Sequence, residues 1–472
     1  MNGLELYGGM LINKEVIMQG KIERFQIVGL HGYKNFNLHL TDNTIILVGE
    51  NGTGKTTVLR LLYYLLSAQW GSLARYKFKE LIVSISGSEY KLPYELLEKH
   101  IAKIDHTLLR KVPPPFRHKF IELLEHSEGR VVLPELEALC DKFDIPLHYV
   151  LRELDLSELS PKEQDKNLVK LFSKIKESLD AQILYLPTYR RIEQELNLIF
   201  TGVDDDEWRH HRRRFIAPRE RDRTFVELIE FGMKDVERAV ESCLIGLKEF
   251  ARENLNTLTL GYLGDVVDKK YSKVNVREIQ NASEETIKSV LDRIPESILS
   301  KSHKDHLFKR INNVRQGGKL DEHAKVICHY FLKLMHFQEE LRKKEAQMTN
   351  FCVVCNQYMT DKRFDYDSAE FKFSIKANGP KENKRDIELR HLSSGEKQIV
   401  SLFSHLYLSG EKNYFVLIDE PELSLSVPWQ RRFLTDIKKG GFCAGLVAVT
   451  HSPFIYDNEL KMYAHGLGEF EV

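Results

Sequence analysis

The strongest constraint on this chain is a pairing of two short motifs: Gly49-Glu-Asn-Gly-Thr-Gly54-Lys55-Thr56 near one end and Asp419-Glu420 near the other. The first reads G-x-x-x-x-G-K-[ST]. Its glycines let backbone N–H groups close around phosphates, Lys55 reaches the β/γ phosphates, and the Thr56 hydroxyl is placed for Mg²⁺. Such a loop needs a buried strand before it and a helix after it. Ile45-Ile-Leu-Val48 supplies the strand, apolar throughout as a parallel strand covered on both faces should be. Val58 to Leu66 supplies the helix, whose free N–H groups and dipole favour an anion. Phe415-Val-Leu-Ile418 is a second buried strand. It carries Asp419 and Glu420 to its C-terminal edge, where open α/β sheets bind ligands. More than 350 residues separate the two motifs.

At 472 residues the chain is too long for one ordinary core and fits two or three domains. Lys+Arg and Asp+Glu both number 69, so the net charge is zero and a dedicated nucleic-acid coat is not expected. No apolar stretch approaches the roughly 18–20 residues that span a bilayer. The first 20 residues interleave apolar residues with Glu5, Lys14 and Glu15, and read as a short leader without a signal peptide's apolar block. A cytoplasmic protein with no membrane partner is expected. The six cysteines are scattered, which suits free buried thiols; Cys352-Val-Val-Cys355, a lone C-x-x-C, leaves a metal or redox role open.

Residues 21–93 read as a mostly β lobe, with a strand pair over 21–48 turning at Gly32 and Asn35, and a hairpin over 79–93 turning at Ser86-Gly87-Ser88. Residues 94–180 read as helical and polar. Ile183 to Pro187 is a further core strand, within a segment 181–192. Residues 193–360 form a helical insertion or arm. In it, Phe225 to about Asn254 has apolar residues at helical spacing, and Ile327, Leu334, Leu341 and Met348 repeat every seven residues. Three heptads make a helical arm or hairpin, not a long coiled coil. Residues 361–472 complete the α/β head. Between the strands lies a charge block with Arg209, Arg212, Arg213, Arg214, Arg219, Arg221 and Arg223. It contacts nucleic acid, docks an acidic partner surface or is a solvated loop.

Leu392-Ser393-Ser394-Gly395-Glu396 opens a helix over Ile399–Leu408. Ser393 with Glu396 three residues later is a capping box, and the hydroxyls and glycine at a helix start also make a phosphate cradle. The segment lies one helix and one strand before Asp419.

The order of these motifs, followed by Thr450-His451, resembles the ABC-type ATPases. Gly49–Thr56 matches that family's Walker A motif, Leu392–Glu396 its signature, Asp419-Glu420 its Walker B and catalytic pair, Ser424-Leu425 its D-loop and His451 its switch histidine. The resemblance implies an α/β fold: a RecA-like P-loop core plus an antiparallel β lobe, here with a largely helical insertion. It implies ATP held by Gly49, Glu50, Asn51, Gly52, Thr53, Gly54, Lys55, Thr56 and Thr57, and Mg²⁺ held by Thr56 and Asp419. Glu420 polarises the attacking water and His451 holds the γ-phosphate. The signature of one copy closes over ATP held by another, which requires a head-to-tail dimer or a higher oligomer. No residue clearly matches the Q-loop glutamine; Thr188, Arg190 and Gln194 are the candidates.

The gap is longer than in transporter ATPases, and the arm is too short for an SMC or Rad50 coil with a zinc hook. Too few residues follow His451 for an appended TOPRIM nuclease. Tyr185-Leu-Pro-Thr-Tyr-Arg-Arg-Ile-Glu193, Glu230-Phe-Gly-Met233, Leu417-Ile-Asp-Glu-Pro-Glu-Leu-Ser-Leu425 with Trp429-Gln430, and Thr450-His-Ser-Pro-Phe454 resemble the PtuA ATPases of Septu anti-phage systems, which also accompany some retrons. Ser426 departs from related ATPases, which often carry His there. The resemblance implies an HNH nuclease partner of the PtuB kind, gated by this chain, and contact with nucleic acid or a retron RNA–DNA hybrid. The chain itself carries no nuclease constellation. A DNA-clamping repair ATPase of the RecF/Rad50/SMC type and a non-hydrolytic ATP-dependent scaffold are the alternative readings.

Overall fold

The computed structural model describes residues 20–98, 165–187, 233–294, 299–378, 387–410 and 412–472, with the stretches 4–7, 10–13, 101–103 and 225–227 and scattered positions between 116 and 154 and at 296. Two compact units interleave along the chain. One comprises Glu15–Glu230 and Glu411–Val472; the other comprises Met1–Lys14 and Phe231–Gly410.

In chain order, the first unit begins with β1 (Ile22–Leu30), β2 (Lys34–His39), β3 (Thr44–Val48), α1 (Lys55–Leu66), β4 (Glu80–Ile85) and β5 (Ser88–Pro93), then α2 (Asp165–Leu179), β6 (Gln182–Leu186) and β7 (Phe225–Glu227). The second unit inserts α3 (Met233–Val267), α4 (Glu284–Asp292), α5 (Lys301–Arg315), α6 (Glu322–Asn356), β8 (Lys362–Asp367), β9 (Lys372–Ala377) and α7 (Ser394–Leu408). The chain then returns to the first unit with β10 (Tyr414–Asp419), α8 (Val427–Lys439), β11 (Cys443–Thr450) and β12 (Ala464–Gly466).

The first unit is a mixed α/β head built on two sheets. Its parallel sheet has the order β7-β6-β10-β11-β3-β12, and its antiparallel sheet the order β2-β1-β4-β5. Every residue of β10 is buried, which requires cover on both faces and explains its unbroken apolar run. Side chains alternate across the sheet, so Ile45, Leu47, Phe415, Leu417, Val447 and Val449 share one face. They join one core with Leu59, Leu62 and Leu66 of α1, Leu168 and Ile175 of α2, and Phe25 and Ile27 of β1. On the antiparallel sheet the buried positions Ile22, Phe25, Ile27 and Leu30 do not strictly alternate. Register shifts between Ile22 and Arg24 and between Ile27 and Leu30 reset the pleat and keep these side chains inward. The β4–β5 turn needs positive φ at both central residues, and Ser86 (φ 49°) and Gly87 (φ 78°) supply it.

Asn43 ties the two sheets together. Its Oδ1 accepts the Ile22 N–H at 2.7 Å, and its Nδ2 donates to the Ala444 carbonyl at 2.8 Å and the Gly20 carbonyl at 3.1 Å. The residue is buried and holds a left-handed backbone, φ 58°, that asparagine tolerates better than most residues.

The second unit is dominated by α3 and α6, each 35 residues and so about 50 Å long. Asp321 caps α6, accepting the Ala324 N–H at 2.7 Å. Leu334, Leu341 and Met348 of the heptad positions are buried, while Ile327 is half-buried. Leu247 and Ala251 of α3 pack on Phe337 and Leu341; α4 and α5 cover the earlier part of α6 around Cys328, Phe331 and Leu334.

Several boundaries differ from the sequence reading. Leu4–Tyr7 and Met10–Asn13 pair as antiparallel strands and fall in the helical unit where a leader is expected. Within 94–180 a strand pair, Ile101–Lys103 with Arg130–Val132, interrupts the expected helical pattern. Phe225–Glu227 is an edge strand paired with β6, so helix α3 starts only at Met233, and it runs on to Val267. Segment 361–410, expected with the head, falls in the helical unit, because β8 and α7 pack on α6. No helix among the described residues is long and apolar enough to cross a membrane.

Asn43→Ala should destabilise the head by about 3 kcal/mol, since it strands one buried N–H and two carbonyls. A lowered urea midpoint, followed by far-UV circular dichroism, checks this; an unchanged midpoint would show that the three bonds do not hold the sheets together.

Candidate nucleotide site

Three parallel strands end at one edge. Val48 of β3 sits opposite Thr450 of β11, and Val449 sits opposite Asp419 of β10. The loops after all three strands therefore emerge side by side, at the C-terminal edge where such sheets bind ligands.

The loop after β3 turns on glycines: Gly52 has φ 82° and Gly54 φ 97°, and a Cβ built at either would meet nothing within 4 Å. These positions keep the loop backbone bare on its open side. Gly54 caps α1, whose first N–H groups face the same side. Lys55 is only 3% exposed, and its Nζ donates to the carbonyls of Gly49 (2.9 Å) and Glu50 (2.7 Å) and to Thr53 Oγ1 (3.3 Å). Burial lowers the Lys55 pKa, opposed by the nearby carboxylates Glu420, Asp419 and Glu422. Glu50, Asn51, Gly52 and Thr57 lie at or near the surface, and Thr53 Oγ1 donates to the Glu50 carbonyl at 3.1 Å.

Thr56 Oγ1 donates to Asp419 Oδ1 at 3.0 Å. Asp419 is fully buried at the end of β10. A hydroxyl and a carboxylate side by side beneath a phosphate cradle are the sparse oxygen set that suits Mg²⁺, which keeps several waters and takes the rest of its shell from substrate phosphates. Among the described residues no cluster of three or more His, Cys, Asp or Glu could hold a metal by itself.

Glu420 comes next in the chain with a left-handed backbone, φ 51°, and its N–H donates to the Val449 carbonyl at 2.9 Å. Holding a non-glycine residue there costs about 1 kcal/mol or more. Burial, then the negative charge of Asp419 and Glu422, raises its carboxyl pKa. His451 Nε2 lies 3.8 Å from Glu420 Oε1, with both side chains partly exposed.

The structure adds a residue that sequence reasoning passed over. Glu422 Oε1 accepts the N–H groups of His451 (2.8 Å) and Ser452 (3.1 Å), and its Oε2 accepts the Thr450 hydroxyl (2.8 Å). Gln430 of α8 takes the Ser452 hydroxyl at 2.7 Å and donates to the Leu425 carbonyl at 2.9 Å. Ser424 is exposed with φ 66°, and Leu425 is buried. The only sequence signal for this clip was the second Glu of Asp-Glu-Pro-Glu.

Leu392–Glu396 belongs to the helical unit. Leu392 is buried, Ser393 and Ser394 are exposed and Gly395 is half-buried. The capping box forms: Ser393 Oγ accepts the Glu396 N–H at 3.4 Å, and Glu396 Oε2 accepts the Ser393 N–H at 2.6 Å. Lys362 Nζ donates to both Glu396 oxygens, at 2.9 and 3.2 Å. Burial opposes ionisation of Glu396, but Lys362 and the Ser393 bonds win and lower its pKa. The structure thus gathers the phosphate loop, Asp419, Glu420 and His451 in one unit, with the signature segment in the other. Arg209, Arg212, Arg213, Arg214, Arg219, Arg221 and Arg223, and the Q-loop candidates Thr188, Arg190 and Gln194, lie outside the described residues. Cys352 and Cys355 are buried in α6; burial pushes the Cys352 thiol up to about 12 and Cys355 well above its ordinary value, so both are protonated.

Fold and site together define a P-loop nucleotide-binding ATPase domain. The chain matches the family described as AAA ATPase domain over residues 21–456, and it belongs to that family. No curated protein matches it. Among solved structures it is similar to the Smc head domain with an extended coiled coil bound to the C-terminal domain of ScpA from Pyrococcus furiosus, at 14% identity and TM-score 0.35 over 93% of this chain and 92% of that one. It is also similar to the SmcHead bound to the C-winged helix domain of ScpA, at 11% identity and TM-score 0.34 over 93% and 91%.

Because the folded Glu396 pKa is depressed, its contribution to stability is present above the unfolded value of about 4.3 and is lost as pH falls through the folded value. Glu396→Gln should therefore cost about 1–3 kcal/mol at pH 7, and the gap to wild type should close in acid. Denaturant unfolding at a series of pH values reads this; a gap independent of pH would mean that the Lys362 pair contributes nothing.

Proposed function

We propose that this chain binds MgATP at Gly49–Thr57 and hydrolyses it. The observation that carries the reading is the 3.0 Å contact between Thr56 of the phosphate loop and Asp419 of β10, two residues far apart in sequence whose oxygens fit one Mg²⁺. The metal would supply charge neutralisation at the phosphates. Lys55 has the reach to bind the β/γ phosphates once it exchanges its loop carbonyls for them. Glu420, its basicity raised by burial and its acidic neighbours, takes the role of general base for water. His451, within 4 Å of Glu420, takes the role of orienting that water against the γ-phosphate.

In the same reading Leu392–Glu396 of a second copy, with its exposed Ser393 and Ser394 at a helix start, completes the site, and Ser424-Leu425 borders it. The working unit is then a head-to-tail dimer or a higher oligomer. The phrases resembling PtuA support a finer reading: an ATPase subunit of a bacterial anti-phage complex, whose nucleotide state gates an HNH nuclease partner. The Arg209–Arg223 block is the candidate contact for nucleic acid, a retron RNA–DNA hybrid or that partner.

Glu420→Gln should retain ATP affinity and lower kcat by about 10²–10⁴-fold, measured by phosphate release and calorimetry. Light scattering with ATP should show accumulated dimers. Unchanged turnover would remove Glu420 as the base, and a wild type without turnover would leave a nucleotide-dependent scaffold. For the finer reading, expression with the neighbouring genes should yield a stable complex with an HNH protein; a chain that purifies alone from its own operon counts against it.

A further inference from the structure

We infer that Glu422 is a positioning residue for His451, the group that sets where this histidine stands beside Glu420. The inference rests on the ATPase reading for its consequence, but its geometry stands independently.

The loop after β11 must turn sharply just where His451 sits. Thr450 is fully buried, whereas His451 and Ser452 are partly exposed. Free N–H groups at such a turn need an acceptor, and the strand ladder ends before it can give one. Glu422 gives it. One carboxylate oxygen takes two successive N–H groups, His451 at 2.8 Å and Ser452 at 3.1 Å, and the other takes the Thr450 hydroxyl at 2.8 Å. Hydrogen bonds to an ionised acceptor are about twice as strong as neutral ones. The Thr450 hydroxyl is itself accepting the Ser452 N–H at 3.0 Å, so the turn closes on itself around one side chain.

The same side chain is fixed from the other direction. Glu422 lies two residues after Glu420, in the short loop Glu420–Ser426 that links β10 to α8. Gln430 of α8 spans that loop and the histidine turn, taking the Ser452 hydroxyl at 2.7 Å while donating to the Leu425 carbonyl at 2.9 Å. Glu420, which needs His451 near it, and Glu422, which places His451, therefore share one rigid loop. The turn needs a side chain of glutamate's length carrying one oxygen that takes both N–H groups. Aspartate would fall short by a methylene, and alanine would leave the His451 N–H unserved and take one partner each from the Ser452 N–H and the Thr450 hydroxyl.

The test uses the full chain with Glu422→Ala, Glu422→Gln, His451→Ala and the Glu422→Ala/His451→Ala pair. Hydrogen exchange over residues 446–456 reads position directly: exchange should accelerate in Glu422→Ala and stay near wild type in Glu422→Gln, whose amide oxygen can still accept both N–H groups. Steady-state turnover with MgATP reads the consequence. Glu422→Ala should lower kcat by about 10- to 100-fold, as a displaced reacting group does, with the ATP dissociation constant within about threefold. Glu422→Gln should recover most of that loss. In the pair, the second substitution should add less than about twofold, because both act through one group. Unchanged exchange in Glu422→Ala, or losses that multiply in the pair, would overturn the inference. A wild type that turns over no ATP would overturn the ATPase reading instead, and the exchange arm would still decide whether Glu422 holds the turn.

Discussion

The site depends on the register of three buried strands. β10 places Asp419 level with Val449 of β11, and β11 places Thr450 level with Val48 of β3. Side chains alternate with period two, so a one-residue slip of β10 would turn Asp419 from the Thr56 hydroxyl to the opposite face. Burial of every β10 residue on both faces is what forbids the slip. Placement of Asp419 is therefore a by-product of packing: Phe415 and Leu417 on one side and Val416 and Ile418 on the other fix the height at which the carboxylate emerges.

Charge is the second constraint. Three carboxylates, Asp419, Glu420 and Glu422, stand within reach of a single buried ammonium, Lys55. Each is occupied differently. Asp419 accepts from Thr56, Glu422 is engaged by the histidine turn, and Glu420 remains partly exposed with the His451 imidazole 3.8 Å away. Neighbours of one chemical type are thus set in three different surroundings by their hydrogen bonds, not by their intrinsic acidity.

The parallel core was legible from sequence because its signals are local. Ile45–Val48 and Phe415–Ile418 are apolar runs ending in motif residues, and Ser393 with Glu396 spells a capping box within four positions. What escaped was set by long-range packing. Phe225-Val-Glu continues the helical spacing of Ile229 and Val236, yet the open edge of β6 recruits it as a strand. The pairing of Leu4–Tyr7 with Met10–Asn13, by contrast, does have a local signal, two apolar-rich runs flanking Gly8-Gly9, which a leader reading overlooks. Segment 361–410 carries a motif that points to the head, while its contacts with α6 place it in the helical unit. Glu422 stands in the sequence as one letter of Asp-Glu-Pro-Glu, and nothing there says that its oxygens meet N–H groups some thirty residues onward.

The sheet order also dictates when this protein can become itself. β3, which launches the phosphate loop, lies between β11 and β12, both far downstream in the chain. On the ribosome, Thr44–Val48 emerges early and then waits, its two edges unpaired, until those strands are made. The helical unit can assemble in the meantime, since after the short strand pair it is one continuous stretch. A nascent chain therefore carries a finished arm before it carries any place for a nucleotide. Cofactor competence arrives only with the last strands of the parallel sheet, and a fragment that stops short of β11 displays a sticky strand in place of a working head.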